Sequence, residues 1–181
     1  MVVDPINAQE GTAQDYDAWC ERTSLRADGT YERTPEQQAI LNEVILEARK
    51  KFREVMVPTC NHMGVQPDGS SGELSIYDHA LDQIRTAMGE GHAPPTDMLN
   101  MVLVRFADII IALDPAYRLE FAFTPDNVVT HTFVYANSSH GHSVINLGNF
   151  IMKSLKDEKL PVSSMMLETL SRIRKGVADR N

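Results

Sequence analysis

Residues 98–113, MLNMVLVRFADIIIAL, are apolar around the whole circumference of a helix apart from Asn100, Arg105 and Asp108. A helix with no polar face cannot lie on a surface. It belongs in the centre of a domain or at a subunit interface. The run Ile109-Ile110-Ile111 also suits a buried strand, but the stretch from Thr96 to Leu113 exceeds ordinary strand length, and length favours the helix. The remaining chain has to supply the walls around it.

Those walls read mainly as helix. Thr34-Pro35-Glu36-Gln37 has the pattern of a capping box with proline at the first helical position. Ile40, Leu41, Val44, Ile45, Ala48, Phe52, Val55 and Met56 then share one face, which predicts a helix over 35–56 with Pro58 just beyond its end. Residues 58–70, with two prolines, two glycines and Asp68-Gly69, read as a loop. A second helix starts near a cap at Ser70-Ser71-Gly72-Glu73. It carries Leu74, Tyr77, Leu81, Ile84 and Met88 inward and ends at Gly89-Glu90-Gly91. Asp114-Pro115 stops the apolar helix, and 116–123 fits one more helical turn. Asn127 to Tyr135 fits strand or helix, and Ser138 to His142 a turn. Two further helices are expected at Val144–Leu155 and Val162–Val177. The fold class expected is all-α: a bundle of about five or six helices with a short irregular or β segment near 127–135. One helical domain covers 34–181, with a core hairpin at 71–123, and residues 1–33 read as an N-terminal arm.

Charge and composition narrow the function classes. The net charge of −8 repels phosphate backbones, so nucleic acid is an unfavourable partner. The basic clusters Arg49, Lys50, Lys51, Arg53 and Arg172, Arg174, Lys175 lie near predicted helix C-termini, where cations offset the helix dipole. No run reaches the about 20 apolar residues of a membrane helix. The polar, acidic N-terminus lacks the pattern of a secretory signal, which points to the cytoplasm. Cys20 and Cys60 give no disulfide framework.

From Ser75 to about Phe121 the chain resembles the MazG-like all-α nucleoside triphosphate pyrophosphatases of phage and bacterial type. Ala80-Leu81-Asp82 sits where that family's first motif ends, and Phe106-Ala107-Asp108 where its second ends. Tyr135-Ala136-Asn137 followed by His140-Gly141 resembles a tail found after the hairpin in phage versions. The resemblance implies a helical hairpin whose four carboxylates hold Mg2+, with the ion bridging the phosphates and activating water. It also implies a dimer or tetramer built on the hairpin.

Carried over by position, the four ligand sites are Ile76, His79, Arg105 and Asp108. One carboxylate of the four remains. His79 is a poor substitute for a hard oxygen ligand. The Arg105 cation would occupy the field of the missing ion and pair with Asp108 one turn away. The expectation is therefore a degenerate relative, a pseudoenzyme that has lost nucleotide hydrolysis, needs no cofactor and acts by binding a nucleotide or a protein. No catalytic residue is assigned. A second expectation is a working Mg2+-dependent pyrophosphohydrolase with a rearranged set drawn from Asp78, His79, Asp82 and Asp108. In this shifted register Glu73 is a further carboxylate, although acidic residues at these spacings also fit a solvated helix face. Tyr135, Asn137 and His140 would contact the ligand. A third expectation is an interaction protein, such as an assembly factor or an inhibitor. The nine methionines and the apolar helix suit contacts of that kind, a homodimer included. His131, His140 and His142 lie close in sequence but lack the partner ligands of a spaced metal motif, and a polar turn explains them better.

Overall fold

The computed structural model describes residues 33–124, 126–138, 141–157 and 159–180, without the side chains of 130, 131, 137, 138, 141 and 142. The expected arm at 1–33 lies outside the described residues apart from Arg33.

Helix α1 (Pro35–Lys51) begins on the predicted capping box. The Gln37 N–H donates to the Thr34 hydroxyl at 3.1 Å, and the Thr34 N–H donates to the Gln37 side chain at 3.1 Å. Two helix-end donors are thus satisfied reciprocally. The helix does not stop before Pro58. It widens into a π turn at Phe52–Met56, where the Val57 N–H reaches back to the Phe52 carbonyl, and continues as α2 (Val57–His62). Proline lacks an N–H, and its ring would clash with the carbonyl four residues earlier in a regular helix. The π turn next to it loosens that geometry and lets the helix pass the proline. The expected loop at 58–70 is correspondingly shorter.

Helix α3 (Ser71–Gly89) follows. Ser70 makes no side-chain cap; Glu73 turns inward instead, as described below. Helix α4 (Thr96–Leu113) is the apolar run, with Met101, Val102, Val104, Phe106, Ala107, Ile109 and Ile110 buried. It lies closest along α1, while α3 runs closest to the last helix, α6 (Val162–Arg180). Helices α3 and α4 meet through long side chains, such as the edge-to-face pair Tyr77 and Phe106 at 5.4 Å between centroids. The expected core hairpin is thus held by a third and a fourth helix. The apolar circumference of α4 is covered largely within the single chain, the first of the two places such a helix suits.

The chain is mostly helical but not all-α. Residues 117–123, expected as a helical turn, form strand β1 (Tyr117–Phe123). It pairs antiparallel with β2 (Val129–Ser138), which pairs with β3 (Gly141–Asn146). The period of two in YRLEFAF explains the difference. Leu119 and Phe121 project to one face, where Phe121, Phe123 and Leu41 of α1 pack together, while Glu120 and Ala122 alternate to the other. The expected helix at 144–155 starts later, as α5 (Leu147–Lys156), because 144–146 complete β3. The main core joins α2 to α6, with Cys60, Leu74, Tyr77, Phe106, Leu147, Phe150 and Met166 fully buried. Among the described residues no helix is long and apolar enough to cross a membrane.

Candidate functional site

The side chains at the expected metal positions go to separate partners. Ile76 lies in the core. His79 is exposed, and its Nε2 lies 3.3 Å from the Gln83 side-chain nitrogen. Asp108 accepts two bonds from Arg49 of α1, at 3.0 and 2.6 Å. Asp78 accepts from the Ser163 N–H at 2.9 Å, in the first turn of α6. There its charge complements the helix dipole. Asp82 pairs with Arg85, whose guanidinium also donates to the Ser154 carbonyl. Among the described residues no group of three or more histidine, cysteine or acidic side chains is placed to hold a metal ion.

The expected Arg105–Asp108 pair does not form. Arg105 donates instead to Glu73, from Nε at 2.7 Å and from a terminal nitrogen at 2.9 Å, and also to the Pro67 carbonyl at 2.9 Å. The physical reason is burial. Glu73 has no solvent exposure, and a carboxylate out of water needs a cation far more than one at the surface does. The Gly69 N–H at 2.7 Å and the Tyr77 hydroxyl at 2.8 Å complete its acceptor positions. The Arg105 guanidinium also stacks 4.5 Å above the Phe52 ring, in the π turn. Burial pushes the Glu73 carboxyl up, but the bonds from Arg105, Gly69 and Tyr77 outweigh it and hold it below the usual range. Burial and the Glu73 charge push the Tyr77 hydroxyl up, and the same two causes raise the Cys60 thiol. This network ties the 63–70 loop, α3, α4 and the π turn together. Gly69, at φ +76°, has its α-carbon against the Ile109 side chain, where an added Cβ would meet Ile109 at 3.0 Å. An arginine inside an apolar run was the sequence signal for this buried partner.

The expected ligand-contacting tail is placed only in part. Tyr135 is buried in β2, with the Arg118 guanidinium 4.9 Å above its ring. The side chain of Asn137, and His140 altogether, lie outside the described residues, as do the side chains of His131 and His142.

A different concavity opens between α1, α4, the sheet and α5. It has a volume of about 590 Å³, and its wall includes Leu99, Leu103, Phe121, Ile151 and Met152, with Thr132 and Asn146 as polar groups. None of its described lining residues is charged. Asn146 caps α5, its side-chain oxygen accepting from the Asn149 N–H at 3.2 Å. That bond fixes which end of the amide is which, and the amide nitrogen is left buried with no partner among the described residues. The residue itself is 1% exposed. The sequence signal was present, since asparagine is among the best N-caps. The apolar pattern that runs back to Val144 masks it, because 144–146 belong to β3.

Comparison with protein-family models, with curated proteins and with solved structures gives no match.

Proposed function

We propose that the chain acts by binding and does not hydrolyse nucleotides, the reading that its resemblance to MazG-like pyrophosphatases implies once the metal ligands are lost. One observation carries it: the side chains that would have gathered Mg2+ are committed elsewhere. Arg105 is locked to Glu73, Asp108 to Arg49, and Asp78 to the start of α6. A hard divalent ion needs about six oxygens converging on one point, and the acidic residues of α3 and α4 diverge to different neighbours.

The test is an assay for pyrophosphate release from the common nucleoside triphosphates with Mg2+ or Mn2+. The expected result is no release above buffer. Metal-dependent release that Asp108→Ala abolishes overturns the proposal. Release that is lost only when Asp78, Asp82 and Asp108 are all replaced would favour a rearranged metal site instead. A homodimer rests mainly on the resemblance, because the apolar helix is covered largely within the chain.

A further inference from the structure

A smaller pocket opens between α6 and β3, with Tyr117 and Asp114 beside it. We infer that it is a binding site for a small monocarboxylate with an apolar body, about the size of benzoate. None of the expected metal positions lines it. The inference rests on the binding reading and deepens it by naming a site and a class of ligand.

The helix side of the pocket is set by spacing. Arg172, Gly176 and Arg180 fall one turn apart on α6, so they share a stripe on its surface. All three line the pocket. After proline, glycine is the costliest residue in a helix interior. Packing does not demand it here, because a Cβ on Gly176 would meet nothing within 4 Å. The effect of the glycine is a gap on the stripe between two arginines.

The sheet side is set by register. Tyr117, Ala136 and Ser143 are partners across β1, β2 and β3, and side chains in one such row lie on the same face. The small Ala136 in the middle leaves room for the tyrosine to cross it, and the Tyr117 and Ser143 hydroxyl oxygens lie 2.9 Å apart. A bond between two hydroxyls uses the hydrogen of only one of them. The other hydrogen has no acceptor among the described residues. Both residues line the pocket and neither is buried, so that hydrogen is within a ligand's reach.

Charge names the ligand's polar end. Arg172 and Arg180 against Asp114 leave one positive charge among the described lining residues. Arg180 is paired with Asp114, and Arg172 with Glu168 one turn earlier on α6, each through a single nitrogen. The other N–H groups of each guanidinium remain as donors. The Arg172 and Arg180 side chains are 58% and 38% exposed, so a ligand reaches them. The Arg172–Glu168 pair is exposed on both sides, is worth little, and yields to a better-placed acceptor. The dipole at the C-terminus of α6 opposes an anion, but it is a partial charge that a full guanidinium charge outweighs. One carboxylate matches the single net charge and the fork geometry of arginine.

Volume names the rest. The pocket holds about 200 Å³, and a cavity of about 150 Å³ accepts benzene. Ile145 and Ile173 supply an apolar surface for the ring. A nucleoside triphosphate exceeds both the volume and the charge of this site.

The probe is benzoate, compared with the neutral benzamide and with phenylphosphonate. Each is titrated into the full chain labelled with 15N and with 13C at isoleucine methyl groups. Benzoate should bind at least about tenfold tighter than benzamide, the factor of one charge-assisted hydrogen bond. Shifts should centre on Ile145, Ile173, Gly176 and the Arg172 side chain. Arg172→Gln should weaken benzoate about tenfold and leave benzamide unchanged. Arg174→Gln, a neighbouring exposed arginine outside the pocket, should change neither. Gly176→Leu fills the gap and should abolish binding of both, while the urea midpoint holds or rises because leucine is the better helix former.

The inference is overturned by absent benzoate binding, by equal binding of benzoate and benzamide, or by benzoate binding that survives Gly176→Leu. Equal weakening by Arg172→Gln and Arg174→Gln would overturn it in favour of general attraction to a basic surface. Tighter binding of phenylphosphonate would overturn the carboxylate in favour of a phosphoryl ligand. The pocket and the proposed function fail separately. Absent benzoate binding with no pyrophosphate release overturns only the pocket, whereas metal-dependent release overturns only the proposed function.

Discussion

Glu73 and Asn146 are both buried polar side chains, 0% and 1% exposed, and they are treated in opposite ways. At Glu73 each carboxylate oxygen takes two donors, drawn from Arg105, Tyr77 and Gly69. At Asn146 the oxygen caps α5 and the nitrogen has no partner among the described residues. A buried network that satisfies all its members specifies the fold. A buried donor left without a partner contributes nothing of that kind and costs free energy. The charged cluster at the hairpin therefore ties α3, α4 and the 63–70 loop together.

The largest effect that tests this contrast comes from removing Glu73. Glu73→Ala leaves the Arg105 cation without its carboxylate, and breaking a buried pair in this way costs about 3–5 kcal/mol. Urea unfolding should show that loss. Glu73→Leu combined with Arg105→Met should recover most of it, since an apolar replacement of both partners removes the desolvation penalty. A loss below about 1 kcal/mol for Glu73→Ala would place the pair among surface ion pairs and end the contrast.

Tyr77→Phe is the next step down. It removes one donor from Glu73 and leaves the ring packed against Phe106. The expected cost is about 1–3 kcal/mol, because one buried carboxylate lone pair loses its partner. An unchanged urea midpoint would mean that Arg105 and Gly69 suffice.

The pH dependence sharpens the contrast with a third carboxylate. Glu120 in β1 is also buried, and it pairs with Arg33 at 2.9 Å and Arg118 at 3.0 Å. Burial raises its pKa, and the two arginines only partly offset the rise. Glu73, held below its ordinary value of 4.5, contributes stability above that pH and loses it as pH falls through the folded value. Glu120, raised above 4.5, behaves oppositely: its contribution is present below that pH and is lost as pH rises through the folded value. Urea midpoints between about pH 3 and pH 7 should lose acid sensitivity in Glu73→Gln. In Glu120→Gln they should lose the decline on the alkaline side. Matching slopes for the two variants would break the assignment.

How much of this was legible in the sequence depends on the range of the forces involved. The capping box at Thr34 and Gln37 and the faces of α1, α3, α4 and α6 are local, and periodicity exposes them. The β1 strand was hidden because YRLEFAF follows a helix breaker and is short enough to fit one turn. Its stability comes from pairing with 129–136, which a local pattern does not reveal. The continuation through Pro58 was hidden for the converse reason, since the breaker rule is strong and the π turn overrides it. Arg105 stands out inside the apolar run, but its choice of Glu73 over Asp108 depends on which carboxylate is farther from water. That is a property of the packed chain. The groove combines four elements distant in sequence, so no motif announces it.

The smallest effect is the most discriminating. Asn146→Ser should change folding stability by no more than about 0.5 kcal/mol, because serine and asparagine cap helices about equally well. The lost amide nitrogen has no partner among the described residues. The missing volume costs a little and the removed orphan donor returns a little, so the two nearly cancel. This near-silence is what separates Asn146 from Glu73, where each withdrawn partner leaves a charge exposed to low dielectric. A loss of about 2 kcal/mol in Asn146→Ser would show that the amide nitrogen is already engaged in the folded chain. It would then belong to the scaffold, as Glu73 does.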